Sequence, residues 1–294
     1  MSDARASGGF GIFTVDVEDW YHPLIKDPDR WAACEDRILG PTEHLLGLLR
    51  STGNHGTFFV LGSIAKRHPE LVRRIVEDGH EVGCHGYQHI SLKRLDPAQF
   101  REDLERALAA LREAGAQEVV SYRAPFFSLE RKAGWALDIL ADCGIRIDSS
   151  VFPMRIGYYG SARARNHPHL AGRIWEYPVT LPSFGGLRLP LAGGFYCRFF
   201  PLSWTLAGIR YQLSRGAEPV FYIHPWELDP EHPRITVGRF LTYRHYLRLD
   251  RTEQVLRELL QRWRWRSLRE CHAAREEGAR REGWPGRGAA HAGR

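Results

Sequence analysis

Two histidines four residues apart, His85 and His89 in CHGYQHISL, could offer both imidazoles to one zinc ion if they shared a helical turn. On its own such a pair is often a surface accident. A second cluster, Asp16, Glu18 and Asp19 in FTVDVEDWYH, follows an apolar run directly. Acids placed after a buried strand are costly unless they are paired or bound to metal, although acidic turns are common in loops. One carboxylate from this cluster would complete a two-histidine, one-carboxylate set with a position left for water. That is the open arrangement of a catalytic zinc rather than a structural one. Arg123 in SYRAPFFS could pair with a carboxylate and keep it ionised. His224 closes the apolar run of VFYIHPWELDP, where Pro225 forces an extended exit, and Asp148 closes another run in GIRIDSS.

The elements that must carry these residues alternate along the chain. Short apolar runs at Phe10–Asp16, Gly56–Val60, His80–His85, Val119–Arg123, Ile145–Asp148, Arg173–Val179 and Pro219–His224 read as buried parallel strands. Helical patterns lie between them, at Glu43–Arg50, Glu70–Asp78, Arg131–Asp142 and Thr252–Trp263. In LDPAQFREDLERALAALREAG, Asp96 fits an N-cap, Pro97 the first helical position, Gln99 the far side of a capping box and Gly115 the stop. Repeated strand–helix units imply right-handed crossovers and a parallel sheet, curled into an open or closed barrel, with a doubly wound open sheet as the alternative. No G-x-G-x-x-G follows the first strand, which argues against a dinucleotide fold. In parallel α/β folds active sites assemble at the C-terminal strand ends, where Asp16, Glu18, Asp19, His85, His89, Arg123, Asp148 and His224 all fall.

Composition adds bounds. The 294 residues are 43% hydrophobic, enough for a full-sized core. The net charge of +6 sits mostly after Leu260, in an Arg-, Gly- and Ala-rich stretch, so the folded part is near neutral and no nucleic-acid partner is expected. Five scattered cysteines without a C-x-x-C pair fit a reducing compartment. No signal peptide and no membrane span are visible, and a soluble, cytoplasmic protein is expected. Nothing in the sequence sets an oligomeric state.

In this order, FTVDVEDWYH, HGTFFVLGSIAKRHPELVRRIVEDGHEVGCHGYQH, SYRAPFFSL, DSSVFP, GGFYCRFFP, VFYIHPWELDP and YRHYLRLDRTEQVLRELL resemble the NodB-homology polysaccharide deacetylases. The similarity is greatest to the exosortase-associated (PEP-CTERM locus) members. It implies an α/β fold, a distorted (β/α) barrel with about seven strands. It also implies metal-dependent hydrolysis of N-acetyl groups on an N-acetylated polysaccharide or its precursor, releasing acetate, in exopolysaccharide biosynthesis. Residues 1–265 would form the catalytic domain with its C-terminal family-specific extension, and 266–294 a disordered Arg/Gly-rich tail.

By the same resemblance Asp16 is the general base, Arg123 holds it, His85 and His89 bind a divalent metal, expected to be zinc, His224 is the general acid and Asp148 orients it. The backbone N–H of Phe126 would stabilise the oxyanion. The commonest first motif has adjacent aspartates, whereas this chain reads Asp16-Val17-Glu18-Asp19. The carboxylate ligand is therefore Asp19, after a turn, or Glu18, which shares a face with Asp16 in extended chain; Asp19 is preferred. Trp20, Tyr196 and Trp226 are candidates for packing on sugar. The first-motif spacing also resembles the allantoinase-like branch, which gives a small amide or ureide as the alternative substrate. A non-catalytic carbohydrate-binding protein on the same fold is a further alternative.

Overall fold

The computed structural model describes residues 9–129, 133–155, 160–184, 187–191 and 193–281. Its strands are β1 (Phe10–Val17), β2 (Thr57–Val60), β3 (Glu81–Cys84), β4 (Ser121–Tyr122), β5 (Ile147–Asp148), β6 (His169–Ala171), β7 (Ile174–Glu176), β8 (Ser183–Phe184), β9 (Leu187–Arg188), β10 (Val220–Ile223) and β11 (Arg264–Arg266). All seven apolar runs read from the sequence carry one of these strands. Interleaved with them are α1 (Leu39–Thr52), α2 (Gly62–Arg67), α3 (Pro69–Glu77), α4 (Pro97–Glu113), α5 (Trp135–Asp142), α6 (Gly194–Phe199), α7 (Leu202–Ser214), α8 (Arg239–Tyr246), α9 (Thr252–Arg262) and α10 (Leu268–Arg281).

The main sheet runs β10-β1-β2-β3-β4-β5-β7-β6, parallel throughout except for the β6–β7 hairpin. It curls until the segment after β7 meets β10: Thr180 N–H donates to the Val220 carbonyl at 3.2 Å, and Val220 N–H to Thr180 Oγ1 at 2.6 Å. The result is the expected distorted barrel. Its register aligns Val60 with Cys84, Cys84 with Tyr122, Tyr122 with Asp148, and Asp148 with Glu176. The next residues along, His85, Arg123, Ser149 and Tyr177, therefore share one level at the barrel mouth. Val15 pairs with Ile223, which puts His224 beside Asp16.

Packing inside the barrel is tight where the site needs a floor. A Cβ on Gly83 would lie 2.6 Å from both the Phe59 ring and Ser121 Oγ, so only glycine fits there. The Phe59 ring it admits lies under the Arg123 guanidinium, 4.4 Å from its centroid.

Outside the barrel, α4 buries Phe100, Leu104, Ala107, Leu108 and Leu111. Its capping box is complete: Gln99 N–H donates to Asp96 Oδ1 at 2.9 Å and Asp96 N–H to Gln99 Oε1 at 3.0 Å. Asp96→Ala is expected to lower stability by about 1 kcal/mol, read from the urea midpoint, with activity unchanged.

The sequence reading of a disordered tail from residue 266 is corrected over 266–281. β11 pairs with the start of β1, and α10 buries Leu268 and Cys271 against the bottom of the sheet. Leu268 N–H donates to Thr57 Oγ1 at 2.8 Å, and Arg269 N–H to the buried Glu81 carboxylate at 2.9 Å. A few apolar anchors and two backbone hydrogen bonds suffice to order a segment whose average composition is polar. Residues 282–294 lie outside the described residues. The five cysteines are free. Among the described residues no helix is long and apolar enough to cross a membrane.

Candidate active site

A cavity opens at the C-terminal ends of the strands, lined by Asp16, Glu18, His85, His89, Phe126 and His224 among others. These six were singled out from the sequence, and the barrel brings them together. Arg123 lies beneath, wholly buried.

His85 leaves β3 with its Nδ1–H donating to the Arg123 carbonyl at 2.8 Å. That bond fixes the tautomer and leaves the Nε2 lone pair facing the cavity. The two histidines do not share a helical turn as the spacing suggested. The chain from 85 to 89 turns through left-handed backbone at Gly86 (φ 78°) and His89 (φ 51°), which brings the rings to 5.3 Å. Gly62 N–H and Ser63 N–H, at the start of α2, donate to the carbonyls of Gly86 and Tyr87 and pin this turn.

Glu18 is the carboxylate that joins them. Its oxygens lie 3.8 Å from His85 Nε2 and 3.3 Å from His89 Nε2. Burial pushes this carboxyl up, but the surrounding imidazoles of His89, His224 and His85 outweigh it and hold it well below the usual range. The preference for Asp19 as ligand is corrected. Asp19 Oδ1 accepts the Trp20 N–H and Oδ2 the Arg37 N–H, both at 2.8 Å, so this carboxylate ties down the first loop. Burial raises it to about 6 despite those two bonds. Extended chain keeps residues 16 and 18 on one face, while the turn after Glu18 carries residue 19 away. His22, in the same turn, accepts the Asp19 N–H at 2.8 Å, and burial pushes its pKa down to about 3.

Asp16 Oδ1 accepts from Arg123 Nη1 at 2.7 Å. Arg123 also donates to Thr14 Oγ1, the Ser149 carbonyl and Ser149 Oγ, so its plane is fixed at every edge. Asp16 Oδ2 remains on the cavity side, 3.9 Å from His224 Nε2.

His224 is oriented by a residue the sequence reading missed. Its Nδ1 lies 2.7 Å from Glu227 Oε1, and Glu227 Oε2 accepts from Arg198 Nε at 2.8 Å. Arg198 donates in turn to the carbonyls of His245 and Leu247, which carry α8 over the cavity. Burial lowers the His224 pKa, but the Glu18 and Glu227 carboxylates more than reverse it and leave it at about 10. Asp148, cast for this role by the resemblance, makes its bonds elsewhere. Ser150 Oγ–H donates to Asp148 Oδ1 at 2.5 Å, and Ser150 Oγ accepts the Ala124 N–H at 2.8 Å. Burial raises both Asp148 and its buried neighbour Glu176, and the Asp148 charge beside it raises Glu176 further. Asp148 thus reaches the turn at Ala124–Phe127 through Ser150, while Glu176 accepts the Val151 N–H at 3.1 Å. That turn holds Phe126 at φ 58° and Phe127 at φ 48°, each a strained conformation costing about 1–3 kcal/mol, and packs the Phe126 ring 4.4 Å from His89.

Trp20, Tyr196 and Trp226 are buried, and of the three Trp226 lines the cavity. Trp226 is stacked between His224 and His245, with centroids at 5.2 and 4.0 Å.

The residues fit a divalent cation. Glu18 Oε2 and His85 Nε2 are buried polar atoms without a hydrogen-bond partner, and Glu18, His85 and His89 each offer a ligand atom within 4.8 Å of the others. Buried atoms of this kind are costly when left bare, and two imidazoles with one carboxylate are a zinc-type donor set.

Residues 35–147 match the family model for polysaccharide deacetylase, and residues 149–273 match a domain of unknown function, DUF3473. A chitooligosaccharide deacetylase of Bradyrhizobium sp. (strain ANU 289) is 36% identical over 101 residues, 34% of this chain and 43% of that protein. A peptidoglycan-N-acetylglucosamine deacetylase of Bacillus cereus is 29% identical over 98 residues, 33% of this chain and 36% of that deacetylase. The matches span less than half the length of these curated relatives. A solved structure from Mycobacterium smegmatis, described as a candidate polysaccharide deacetylase, shares the fold. Its TM-score is 0.61 at 24% identity, covering 98% of this chain and 96% of that one. The deacetylase match supplies His85, His89 and Arg123. Asp16 and Glu18 precede it, and Arg198, His224 and Glu227 come from the segment of unknown function, so one site draws on both.

Proposed function

We propose that this protein hydrolyses the N-acetyl group of an N-acetylated glycan, releasing acetate and a free sugar amine, with a divalent metal, zinc by preference, held by Glu18, His85 and His89. The observation that carries the reading is the convergence of that donor set with a held carboxylate and an oriented histidine in one cavity. A bound cation would supply Lewis acidity and water of lowered pKa. Asp16, with Oδ1 occupied by Arg123, would take the proton of the attacking water at Oδ2. The water oxygen bonds to the acetyl carbon, and negative charge moves to the carbonyl oxygen, where the Phe126 N–H is the donor we assign. As the C–N bond breaks, His224 gives its Nε2 proton to the departing nitrogen, while its Nδ1–H keeps donating to Glu227 Oε1.

Support for a glycan comes from the relatives, described as acting on chitooligosaccharide and on peptidoglycan N-acetylglucosamine. The likeness of the seven sequence segments to exosortase-associated deacetylases favours an exopolysaccharide or its precursor. Acetate release from N-acetylglucosamine oligomers, measured alongside metal content with and without chelator, tests the reading. Release that depends on metal is expected. Metal-free protein that releases acetate at the full rate, or metal-loaded protein inert on every N-acetylated oligomer, would refute it.

A further inference from the structure

Aromatic rings run outward from the cavity mouth along α6 and into α7. Phe195 lines the cavity. Phe199, one turn further along the same helix face, has its ring 5.3 Å from Phe195 and is 44% exposed. Phe200 follows at 5.1 Å, and Trp204 stacks on Phe200 at 5.7 Å with planes 3° apart, itself 50% exposed. The barrel core does not require Phe199 and Trp204 to stand in solvent, and contiguous apolar surface of this kind marks a contact site.

We propose that this ridge binds further sugar units of a glycan chain whose N-acetylated residue occupies the cavity, a reading that rests on the deacetylase function above. The ridge begins inside the cavity, so whatever it binds is continuous with the cavity's occupant. A polymer fulfils that condition because it must leave by the mouth. Its surface is aromatic, and flat ring faces match the C–H faces of pyranose rings, with Phe199 and Trp204 offering successive platforms. Trp20 and Tyr196 are buried away from this surface, and Trp226 lines the cavity itself rather than the ridge.

The test uses the full chain with Phe199→Ala, Trp204→Ala and Trp204→Phe on the dimer and the pentamer of N-acetylglucosamine. The alanine variants are expected to lose about tenfold in kcat/KM on the pentamer and to stay within about twofold on the dimer, with Trp204→Phe in between. Equal loss on both lengths, or none on either, would overturn the ridge. Equilibrium binding of the pentamer, read without turnover, separates this from the deacetylase reading. If wild type releases no acetate but binds the pentamer more tightly than Trp204→Ala does, the ridge stands and the reaction falls. If Trp204→Ala instead loses affinity for phosphatidylglycerol vesicles while binding the pentamer as before, the surface is a membrane contact and the proposal fails.

Discussion

His85→Ala is expected to bring bound divalent metal to background, counted per chain after dialysis, and to lower acetate release by about three decades or more. Lewis-acid stabilisation is worth several kcal/mol, and each 1.36 kcal/mol is a factor of ten. The sharper comparison lies within the first loop. Glu18→Ala should behave as His85→Ala does, because its carboxylate faces both imidazoles. Asp19→Asn should keep its metal, because both Asp19 oxygens are committed to the Trp20 and Arg37 amides. Metal binding by the native state also raises the melting temperature, so added zinc should stabilise wild type and Asp19→Asn but not Glu18→Ala. Metal lost from Asp19→Asn and kept by Glu18→Ala would reverse the assignment and dissolve the site as described.

Most of the barrel strands were legible because parallel strands buried on both faces read as short, largely apolar runs. The start of α4 was legible because a capping box is written in adjacent residues. The C-terminal helices were harder. α8, with the sequence RFLTYRHY, has no apolar stripe of its own and is held in place through Arg198, a residue more than forty positions away. The end of the chain was misread because averaging over an arginine-rich stretch hid its anchors. Trp265 alternates with arginines as in a strand, and Ser267 with Glu270 forms a reciprocal N-terminal pair at the head of α10.

The site divides the same way. Strand ends announced Asp16, His85, Arg123 and His224, since the register fixes where a residue after an apolar run must stand. Which acid in Asp16-Val17-Glu18-Asp19 faces the histidines depends on where extended chain stops, and that is decided by a loop, not by spacing. Glu227 did leave a local trace, three residues after His224 on a tight Pro-Trp turn. Arg198 left none, because its partner is distant in sequence.

His224→Ala is expected to lower kcat by about two to four decades with metal content unchanged. Glu227→Gln exchanges an ionised acceptor for an amide that can also present N–H to Nδ1, so the imidazole loses both its preferred tautomer and its anchor. A loss of about ten- to a hundredfold follows if Glu227 acts through His224. The fold should persist, since Arg198 keeps the His245 and Leu247 carbonyls, and thermal melting checks this. Combining the two substitutions discriminates between orienting residues. Acting through one imidazole, Glu227→Gln should add nothing to His224→Ala. Asp148→Asn should multiply its own loss onto His224→Ala, because its effect passes through Ser150 to the Ala124 turn on the other side of the reaction. The opposite pattern, with Asp148→Asn silent beside His224→Ala and Glu227→Gln additive, would return the orienting role to Asp148 and reduce the 2.7 Å contact with Glu227 to packing.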